Sequence, residues 1–282
     1  MFPTLLKVGP VTFHSYGLMI AVGFLAAFTM VKRDARKQGI DPQFANEMWL
    51  WALLWGIAGT RILHIIMFPD AYSWKDPLGW IAIWRGGLVF QGALPPAILY
   101  GWYYARKHEM RFWTLVDLIV PYIPLAHAFG RVGCFLNGCC YGKRTELPWG
   151  ISFPRVPWNL SVSPTGSPAY LDHCRRFALS HASDHWSYPV HPTQLYSVAA
   201  LLCICATVVL IRDKWHPFAG VSMPAYFTLY GAFRFFVEFL RGDHNPTHFG
   251  AFSDQQVFSL LLVAGGLILF SALYLWDRPK AK

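Results

Sequence analysis

Residues 253–276 read SDQQVFSLLLVAGGLILFSALYLW, and this stretch decides the class of fold. After Asp254 no charged residue interrupts it until Asp277, which is followed at once by Arg278. A helix needs about 20 mostly apolar residues to cross the roughly 30 Å hydrocarbon core of a bilayer. The stretch therefore predicts a transmembrane helix that ends at a charged membrane surface.

Six further apolar runs occupy much of the 282-residue chain. In order, they cover residues 16–31, 46–68, 86–104, 112–136, 192–211 and 221–240. The third contains Pro95 and Pro96, which predict a broken or kinked helix because proline has no backbone N–H to donate. We therefore predict an all-α integral membrane protein of about seven transmembrane helices, forming a single polytopic domain over residues 1–282.

The composition favours lipid as the solvent for much of the chain. Only 14% of the residues are charged and 55% are hydrophobic, whereas a soluble domain carries about 25% charge. The net charge of +9 is also typical of nucleic-acid binders. Here the charges lie at the ends of apolar runs, so we predict membrane lipid and no nucleic acid as the partner.

The positions of Lys and Arg predict the orientation of the helices. The ends that follow runs one, three, five and seven hold Lys32, Arg33, Arg36, Lys37, Arg106, Lys107, Arg111, Arg212, Lys214, Arg278, Lys280 and Lys282. The segments on the other side hold only Lys7, Lys75, Arg85 and Arg241. Because cytoplasmic loops are enriched in basic residues, we predict an external N-terminus and a cytoplasmic C-terminus. The segment at about 137–191, rich in Pro, Gly, Trp and His, then forms an ordered external cap between helices four and five.

Ionisable residues inside the predicted helices are costly to bury, so each one requires a reason. They are Arg61, Asp117, His127, Arg131, Arg234 and Glu238. One interpretation is structural pairing, since Arg234 and Glu238 are four residues apart on one helix face. The other is anion binding, because three arginines and two acids leave a positive interior. The planar guanidinium group suits phosphate well.

Two segments place such arginines near the predicted outer face. Residues 130–142 read GRVGCFLNGCCYG, where glycines allow close approach to a ligand and free N–H groups favour an anion. Residues 230–241 read YGAFRFFVEFLR, which sets Tyr230, Arg234 and Glu238 on one polar stripe. HSYGLM at 14–19 and HPTQLY at 191–196 open two other runs, and each alone is equally typical of a helix cap.

Together with GGLVF at 86–90 and PWG at 148–150, these segments occur in an order that resembles the prolipoprotein diacylglyceryl transferase family. The resemblance implies an enzyme of the bacterial cytoplasmic membrane. It implies transfer of the diacylglyceryl group of phosphatidylglycerol to the lipobox cysteine of a lipoprotein precursor. A thioether forms and glycerol phosphate leaves. The partners so implied are phosphatidylglycerol, the signal peptides of the precursors and membrane lipid, with no cofactor.

The resemblance also implies roles for particular residues. Arg131 and Arg234 look like the phosphate-contacting arginines of the family. The candidate catalytic residues are Arg131, Arg234, Tyr230, Tyr16 and Asn137. The candidate substrate-binding residues are Gly142, Glu238, Arg241, His191, Gln91, His14 and Arg61.

The chain departs from the family pattern at several of its motifs. Gln91 stands where many members have a His or Tyr, and the His has been proposed as the base for the substrate thiol. Glutamine takes no proton at neutral pH, so the identity of the base stays open. Cys134 and Cys139 stand at common Asn and Glu positions, and Ser197 replaces an acid.

The six cysteines form no CxxC pair and no zinc-binding spacing. We therefore predict no metal site, and a thiol oxidoreductase that uses Cys139 and Cys140 lacks the usual motif. Two further alternatives are a non-catalytic or retargeted paralogue, which Gln91 suggests, and a small-solute transporter. A transporter would be expected to show inverted repeats or charges near the membrane midplane.

Overall fold

The computed structural model is mostly helical and describes residues 4–8, 11–73, 76–82, 87, 89–155, 167–177, 179, 185–215, 217–243, 250 and 252–277. The chain divides into two compact units. One consists of Met1–Ala27 and Ile119–Lys282, and the other of Phe28–Leu118. The prediction of a single polytopic domain stays a prediction.

The smaller unit is built around the second apolar run. After the end of α1 (Ser15–Lys37), it contains α2 (Pro42–Met67), α3 (Leu94–Lys107) and most of α4 (Phe112–Ile119). Asp41 caps α2 by accepting a hydrogen bond from the N–H of Gln43 at 2.8 Å, with proline at the first helical position. Short 3₁₀ helices at Pro69–Ala71, Pro77–Trp80 and Phe90–Ala93 complete the unit.

The larger unit opens with a two-stranded antiparallel hairpin, β1 (Thr4–Val8) and β2 (Val11–His14), which leads directly into α1. After the 3₁₀ turn Val120–Tyr122, its helices are α5 (Ile123–Asn137), α6 (Pro168–Phe177), α7 (Thr193–Leu210), α8 (Ser222–Glu238) and α9 (Asp254–Asp277). A π-helical turn, Ile211–Trp215, extends α7. Helix α5 packs against α7, and α8 packs against α9.

Within the described residues, five helical segments are long and apolar enough to cross a membrane. They are Ser15–Lys37, Gln43–Met67, Phe112–Asn137, Thr193–Trp215 and Asp254–Asp277. The third combines α4, the 3₁₀ turn and α5, and the fourth combines α7 with its π-helical turn. The runs at 86–104 and 221–240 form shorter helices, α3 with 14 residues and α8 with 17. The mostly helical architecture is therefore confirmed, and the β1–β2 hairpin is a departure from the all-α prediction. Five of the seven predicted runs form helices long enough to span a membrane, while seven spans stay a prediction.

Large apolar side chains are exposed along much of α9, although Leu273 is buried. Leu261 is 65% exposed, Ile268 70% and Leu275 66%. A soluble protein rarely leaves so continuous an apolar surface in water. The surface suits contact with lipid tails, as the sequence of this stretch predicts.

The segment at 137–191 is ordered where the structure describes it. Tyr141, Phe153, Ala169 and Val190 form a small buried cluster on which Phe135 packs. Isolated β-bridges join Ile151 to Val190 and Pro154 to Trp186. These contacts belong to the described parts of the segment, and an ordered external cap stays a prediction.

Candidate functional site

Helices α5 and α8 present matching aromatic and cationic side chains to each other. His127 precedes Arg131 by one turn on α5, and Tyr230 precedes Arg234 by one turn on α8. The ring centroids of His127 and Tyr230 lie 5.3 Å apart, and Tyr226 stacks on Tyr230 at 5.7 Å. The two helices therefore meet at the level of these residues.

The two arginines predicted from sequence converge at this meeting point. Arg131 and Arg234 both lie close enough to His127 for their charges to act on its ring. They also act on each other, and Arg241 acts on Arg234. Three guanidinium groups of like charge in one place repel one another unless anions offset the charge.

One carboxylate lies at the centre of this cluster. Glu238 is buried, and its Oε2 lies 2.6 Å from Nη1 of Arg234 and 3.8 Å from Nε of Arg241. Nη1 of Arg234 makes no hydrogen bond of good geometry. Its short distance to Glu238 is therefore that of an ion pair in which the N–H bond does not point at the carboxylate oxygen. Ser253 donates to the other oxygen of Glu238 at 3.3 Å. The structural pairing considered from sequence is thus real for Arg234 and Glu238.

A second carboxylate holds Arg241. Asp243 accepts from its Nε at 2.9 Å and from its Nη2 at 2.7 Å, which is a bidentate pair. Burial disfavours the charge on Arg241, but the carboxylates of Asp243 and Glu238 outweigh it and raise the pKa of Arg241 above its usual value. Arg241 is therefore a fixed positive charge beside Glu238.

Arg131 has no such partner. Within the part of the chain that the structure describes, no carboxylate lies within 4.0 Å of its guanidinium group. The site thus holds the cations Arg131, Arg234 and Arg241 against the anions Glu238 and Asp243. The excess positive charge lies at Arg131 and favours an anionic ligand there.

Tyr16 and Asn137 lie beside this arginine. Tyr16 packs against α5 at Gly133, where its Cδ2 atom lies 3.0 Å from the position that a Cβ would take. It is close enough to Arg131 and Cys134 for electrostatic interaction. Asn137 is the last residue of α5, and its side chain lies near the sulfur of Cys139. Three of the five candidate catalytic residues, Arg131, Tyr16 and Asn137, therefore lie at one end of α5.

The glycine-rich segment also brings together the thiols of Cys134, Cys139 and Cys140. The Sγ atoms of Cys134, Cys139 and Cys140 all lie within 4.8 Å of one another. Left-handed backbone at Gly138 (φ 74°) and Cys140 (φ 61°) folds the chain back on itself. The spacing of these cysteines in the sequence matches no zinc-binding motif, so the sequence alone did not reveal that the three thiols converge.

Gly142 lies between two other backbone segments. A Cβ at this position would come within 2.5 Å of both the Cβ and the carbonyl oxygen of His191, and within 2.9 Å of the carbonyl oxygen of Leu240. Its N–H donates to the carbonyl of His191 at 2.9 Å, and it forms a β-bridge with Arg241. Gly142 thus holds Arg241 at the site, and direct contact with substrate stays a prediction.

His191 belongs to a short polar chain. Trp149 Nε1 donates to the hydroxyl of Tyr196 at 2.7 Å, and that hydroxyl lies 3.4 Å from Nδ1 of His191. The motifs at 148–150 and 191–196 are therefore joined to each other. Their role in binding a substrate stays a prediction.

The remaining candidates lie elsewhere. Arg61 is in the smaller unit, where it donates to the carbonyls of Gly79, Trp80 and Gly87 and lies 4.9 Å from the ring of Tyr72. These contacts with backbone carbonyls and an aromatic ring are typical of an arginine with a structural role. Gln91 lies in the Phe90–Ala93 helix of the same unit, and its side chain is outside the described part of the chain, as are Gly86 and Leu88. His14 ends β2 and is exposed.

A cavity of about 530 Å³ adjoins the arginine cluster. Its lining includes Glu238, Arg241, Gly142, Lys143, Arg144, Asp172 and Arg176. Four cationic side chains and two carboxylates face this space, so its lining is also positive. The cavity provides room for an anionic group next to Arg241.

Two aromatic residues of the site were not among the sequence candidates. His127 was noted only as an intramembrane ionisable residue, and Tyr226 was not noted. Tyr226, Tyr230, Arg234 and Glu238 are spaced four residues apart, so extending the polar stripe backwards by one turn would have found Tyr226.

Comparisons with known proteins agree in one description. A family model described as prolipoprotein diacylglyceryl transferase matches residues 3–272. The phosphatidylglycerol–prolipoprotein diacylglyceryl transferases of Xanthomonas axonopodis pv. citri and Stenotrophomonas maltophilia are 32% and 33% identical over 276 residues, covering 95% of this chain and 90% of each relative. The protein of that name in Xylella fastidiosa is 32% identical over 283 residues, covering 95% and 91%.

Proposed function

The chain belongs to the prolipoprotein diacylglyceryl transferase family, and we propose that it transfers the diacylglyceryl group of phosphatidylglycerol to the lipobox cysteine of lipoprotein precursors. The names of its relatives support both substrates. The observation that supports this chemistry most directly is the convergence of Arg131, Arg234 and Arg241 with two carboxylates between them. A phosphodiester headgroup would supply the missing negative charge.

The reaction is a nucleophilic substitution at carbon. The thiolate of the precursor attacks C3 of the glyceryl group, a sulfur–carbon bond forms, and the carbon–oxygen bond to phosphate breaks. The electron pair of the broken bond stays on the phosphate oxygen, and glycerol phosphate leaves. The thiol proton is released, so the products are a thioether and a phosphate monoester.

The arginines serve this reaction in two ways. A free cysteine has a pKa of about 8.5, and nearby positive charge lowers the pKa of a thiol that enters the site. The same charge stabilises the phosphate that departs. We propose that Arg131 and Arg234 contact the phosphate directly, and that Arg241 and Glu238 set the charge and position of Arg234.

Tyr230 and Tyr16 flank the two arginines. Tyr230 packs on His127, and Tyr16 packs on α5 beside Arg131. We propose that both aromatic side chains order the headgroup, and that Asn137 fixes the turn that follows α5. Gly142 and His191 then hold that turn against the segment that carries Arg241.

We further propose that the chain crosses the bacterial cytoplasmic membrane seven times, with the N-terminus and the 137–191 segment outside. The distribution of Lys and Arg supports this orientation. An external site suits a substrate cysteine that follows a translocated signal peptide.

A reconstituted assay tests the proposed reaction. Purified protein would be placed in vesicles of phosphatidylglycerol and given a lipobox peptide, with phosphatidylethanolamine vesicles and a Cys→Ser peptide as matched controls. We expect the peptide to gain the mass of one diacylglyceryl group, together with one equivalent of released glycerol phosphate. Transfer that is equal in phosphatidylethanolamine vesicles, or none with both proper substrates, would contradict the proposal.

A further inference from the structure

The thiol cluster formed by Cys134, Cys139 and Cys140 has no part in the proposed reaction, because the reacting thiol comes from the precursor. The three Sγ atoms lie within 4.8 Å of one another. We propose that this thiol cluster is a binding site for a soft d¹⁰ cation, Zn²⁺ or Cu⁺, held by three thiolates with a fourth position open.

The distances fit such a cation. Zinc–sulfur bonds are about 2.3 Å long, which places the sulfurs of a tetrahedral site about 3.8 Å apart. The sulfurs lie within 4.8 Å of one another, so each pair would need to approach by at most about 1 Å. Thiolates are the ligands that select Cu⁺ and Zn²⁺ over harder cations. Binding releases three thiol protons and requires no oxidant or reductant.

The backbone around the cluster is fixed before any ion binds. The N–H of Cys139 donates to the carbonyl of Cys134 at 3.1 Å. The carbonyl of Cys139 accepts from Nε2 of Gln194 at 2.8 Å, and that of Cys140 accepts from Oγ1 of Thr193 at 2.7 Å. The turn that carries Cys139 and Cys140 is thus anchored both to Cys134 near the end of α5 and to the start of α7.

The conformation of Cys140 is a separate observation. Its φ of 61° lies in the left-handed region, which is unfavourable for a residue with a side chain. Such conformations persist where surrounding contacts enforce them, and they concentrate at functional sites. Here the turn directs the thiol of Cys140 toward those of Cys134 and Cys139.

The charge around the thiol cluster also suits a metal–thiolate group. Three thiolates carry one net negative charge with Zn²⁺ and two with Cu⁺. Arg131 and Arg241 lie close enough to Cys140 for their charges to act on its sulfur, and the side chain of Asn137 lies near the sulfur of Cys139. These groups would stabilise the negative complex without being ligands.

The first test uses the unmodified protein. Purified, fully reduced protein in detergent, kept free of oxygen, would be treated with N-ethylmaleimide with and without one equivalent of Zn²⁺ or, in a second arm, Cu⁺. Peptide mass spectrometry would follow each cysteine. We expect the cation to slow the labelling of Cys134, Cys139 and Cys140 together, while the exposed Cys203 of α7 labels at an unchanged rate.

The second test measures affinity. Competition with a chelator, followed by elemental analysis, should find one tightly bound ion per chain. Loss of a group that supports a metal ligand weakens binding 10–100-fold, so Cys134→Ser, Cys139→Ser and Cys140→Ser should each weaken it by at least about 100-fold. Cys203→Ser is the matched control and should bind normally.

Three results would overturn the proposal. They are equal labelling with and without both cations, equal weakening by Cys203→Ser, and isolation of the native protein with two of the three sulfurs joined as a disulfide. The labelling test does not depend on whether a variant folds. None of these readouts uses lipid transfer, so their failure leaves the proposed transferase reaction untouched.

Discussion

Arg131 and Arg234 share a site but differ in their partners. Arg234 forms an ion pair with Glu238 at 2.6 Å, whereas Arg131 has no carboxylate within 4.0 Å among the described residues. A simple ion pair tolerates Lys in place of Arg, because only the charge matters. A phosphate clamp does not, since it depends on the planar fork of the guanidinium group.

We therefore expect Arg131→Lys and Arg234→Lys each to fold and each to lose most transfer activity. Loss of one transition-state contact of this kind costs roughly 3–4 kcal/mol, or about 10²–10³ in rate. The measurement is the initial rate in phosphatidylglycerol vesicles at equal protein levels.

Arg33→Lys is the matched control, because Arg33 is exposed near the end of α1. It should keep the normal rate. A near-normal rate for either test variant would remove that arginine from the phosphate site. If only Arg234→Lys is active, Arg234 is an ion-pair partner of Glu238 and Arg131 binds the phosphate without it.

For individual residues, the sequence predicted the pairing of Arg234 with Glu238, but it did not predict that the three thiols converge. Arg234 and Glu238 follow from their four-residue spacing on a helix, and the structure shows them paired. The thiol cluster depends on left-handed backbone at Gly138 and Cys140. No periodic pattern encodes such a turn, because neither helical nor strand spacing brings adjacent residues to one point.

Among the elements, α6 depends on a buried histidine. Nδ1 of His173 accepts a hydrogen bond from the N–H of Tyr188 at 3.1 Å, so this nitrogen carries no proton. Burial lowers the pKa of His173; Asp172 opposes the shift, and Arg176 and Arg144 add to it. The bond ties α6 to the strand-like segment before His191.

This arrangement predicts that acid loosens α6. The unfolded chain binds a proton at a pKa of about 6.5, while the folded chain resists protonation to a lower pH. The stabilisation by His173 is therefore complete above pH ~6.5 and is lost as the pH falls below that value. Hydrogen exchange in α6 and at Tyr188 should be faster at about pH 5.5 than at about pH 7.5, after correction for the intrinsic rate.

His173→Gln provides the comparison for this effect. Its amide oxygen can accept the same hydrogen bond but does not titrate, so the corrected exchange should no longer change with pH. Tyr141, Phe177 and Tyr188 pack around the His173 ring. An unchanged pH dependence in His173→Gln would assign the effect to another group.

The helices themselves show where an apolar run is sufficient and where it is not. The runs at 16–31, 46–68, 112–136, 192–211 and 253–276 all form helices that are long enough to span. In the run at 86–104, α3 begins only at Leu94, and Pro95 and Pro96 form its first turn. Hydropathy alone did not give this start, because proline sets where a helix can begin.

For the whole molecule, the open matter is whether the two shorter helices also cross. Helix α3 with 14 residues and the preceding four-residue 3₁₀ helix together extend about 29 Å. Helix α8 with 17 residues extends about 26 Å. The hydrocarbon core is about 30 Å thick and accepts spans from about 17 residues, so both lengths lie at its lower limit.

The distribution of charge favours crossing, and reporter fusions test it. If α3 did not cross, Arg106, Lys107 and Arg111 would lie outside, against the preference of basic residues for the cytoplasm.

With seven spans and an external N-terminus, fusions truncated after Arg36 and Arg106 and a fusion at the C-terminus should report cytoplasm, and one after Glu146 should report the exterior. If only the five longer helices cross, Arg36 and the C-terminus would still be cytoplasmic, whereas Arg106 would be external and Glu146 cytoplasmic. An external signal at Arg106 together with a cytoplasmic one at Glu146 would therefore reject seven spans. The same pair of fusions reports on which side of the membrane the turn after α5, and with it Asn137, is located.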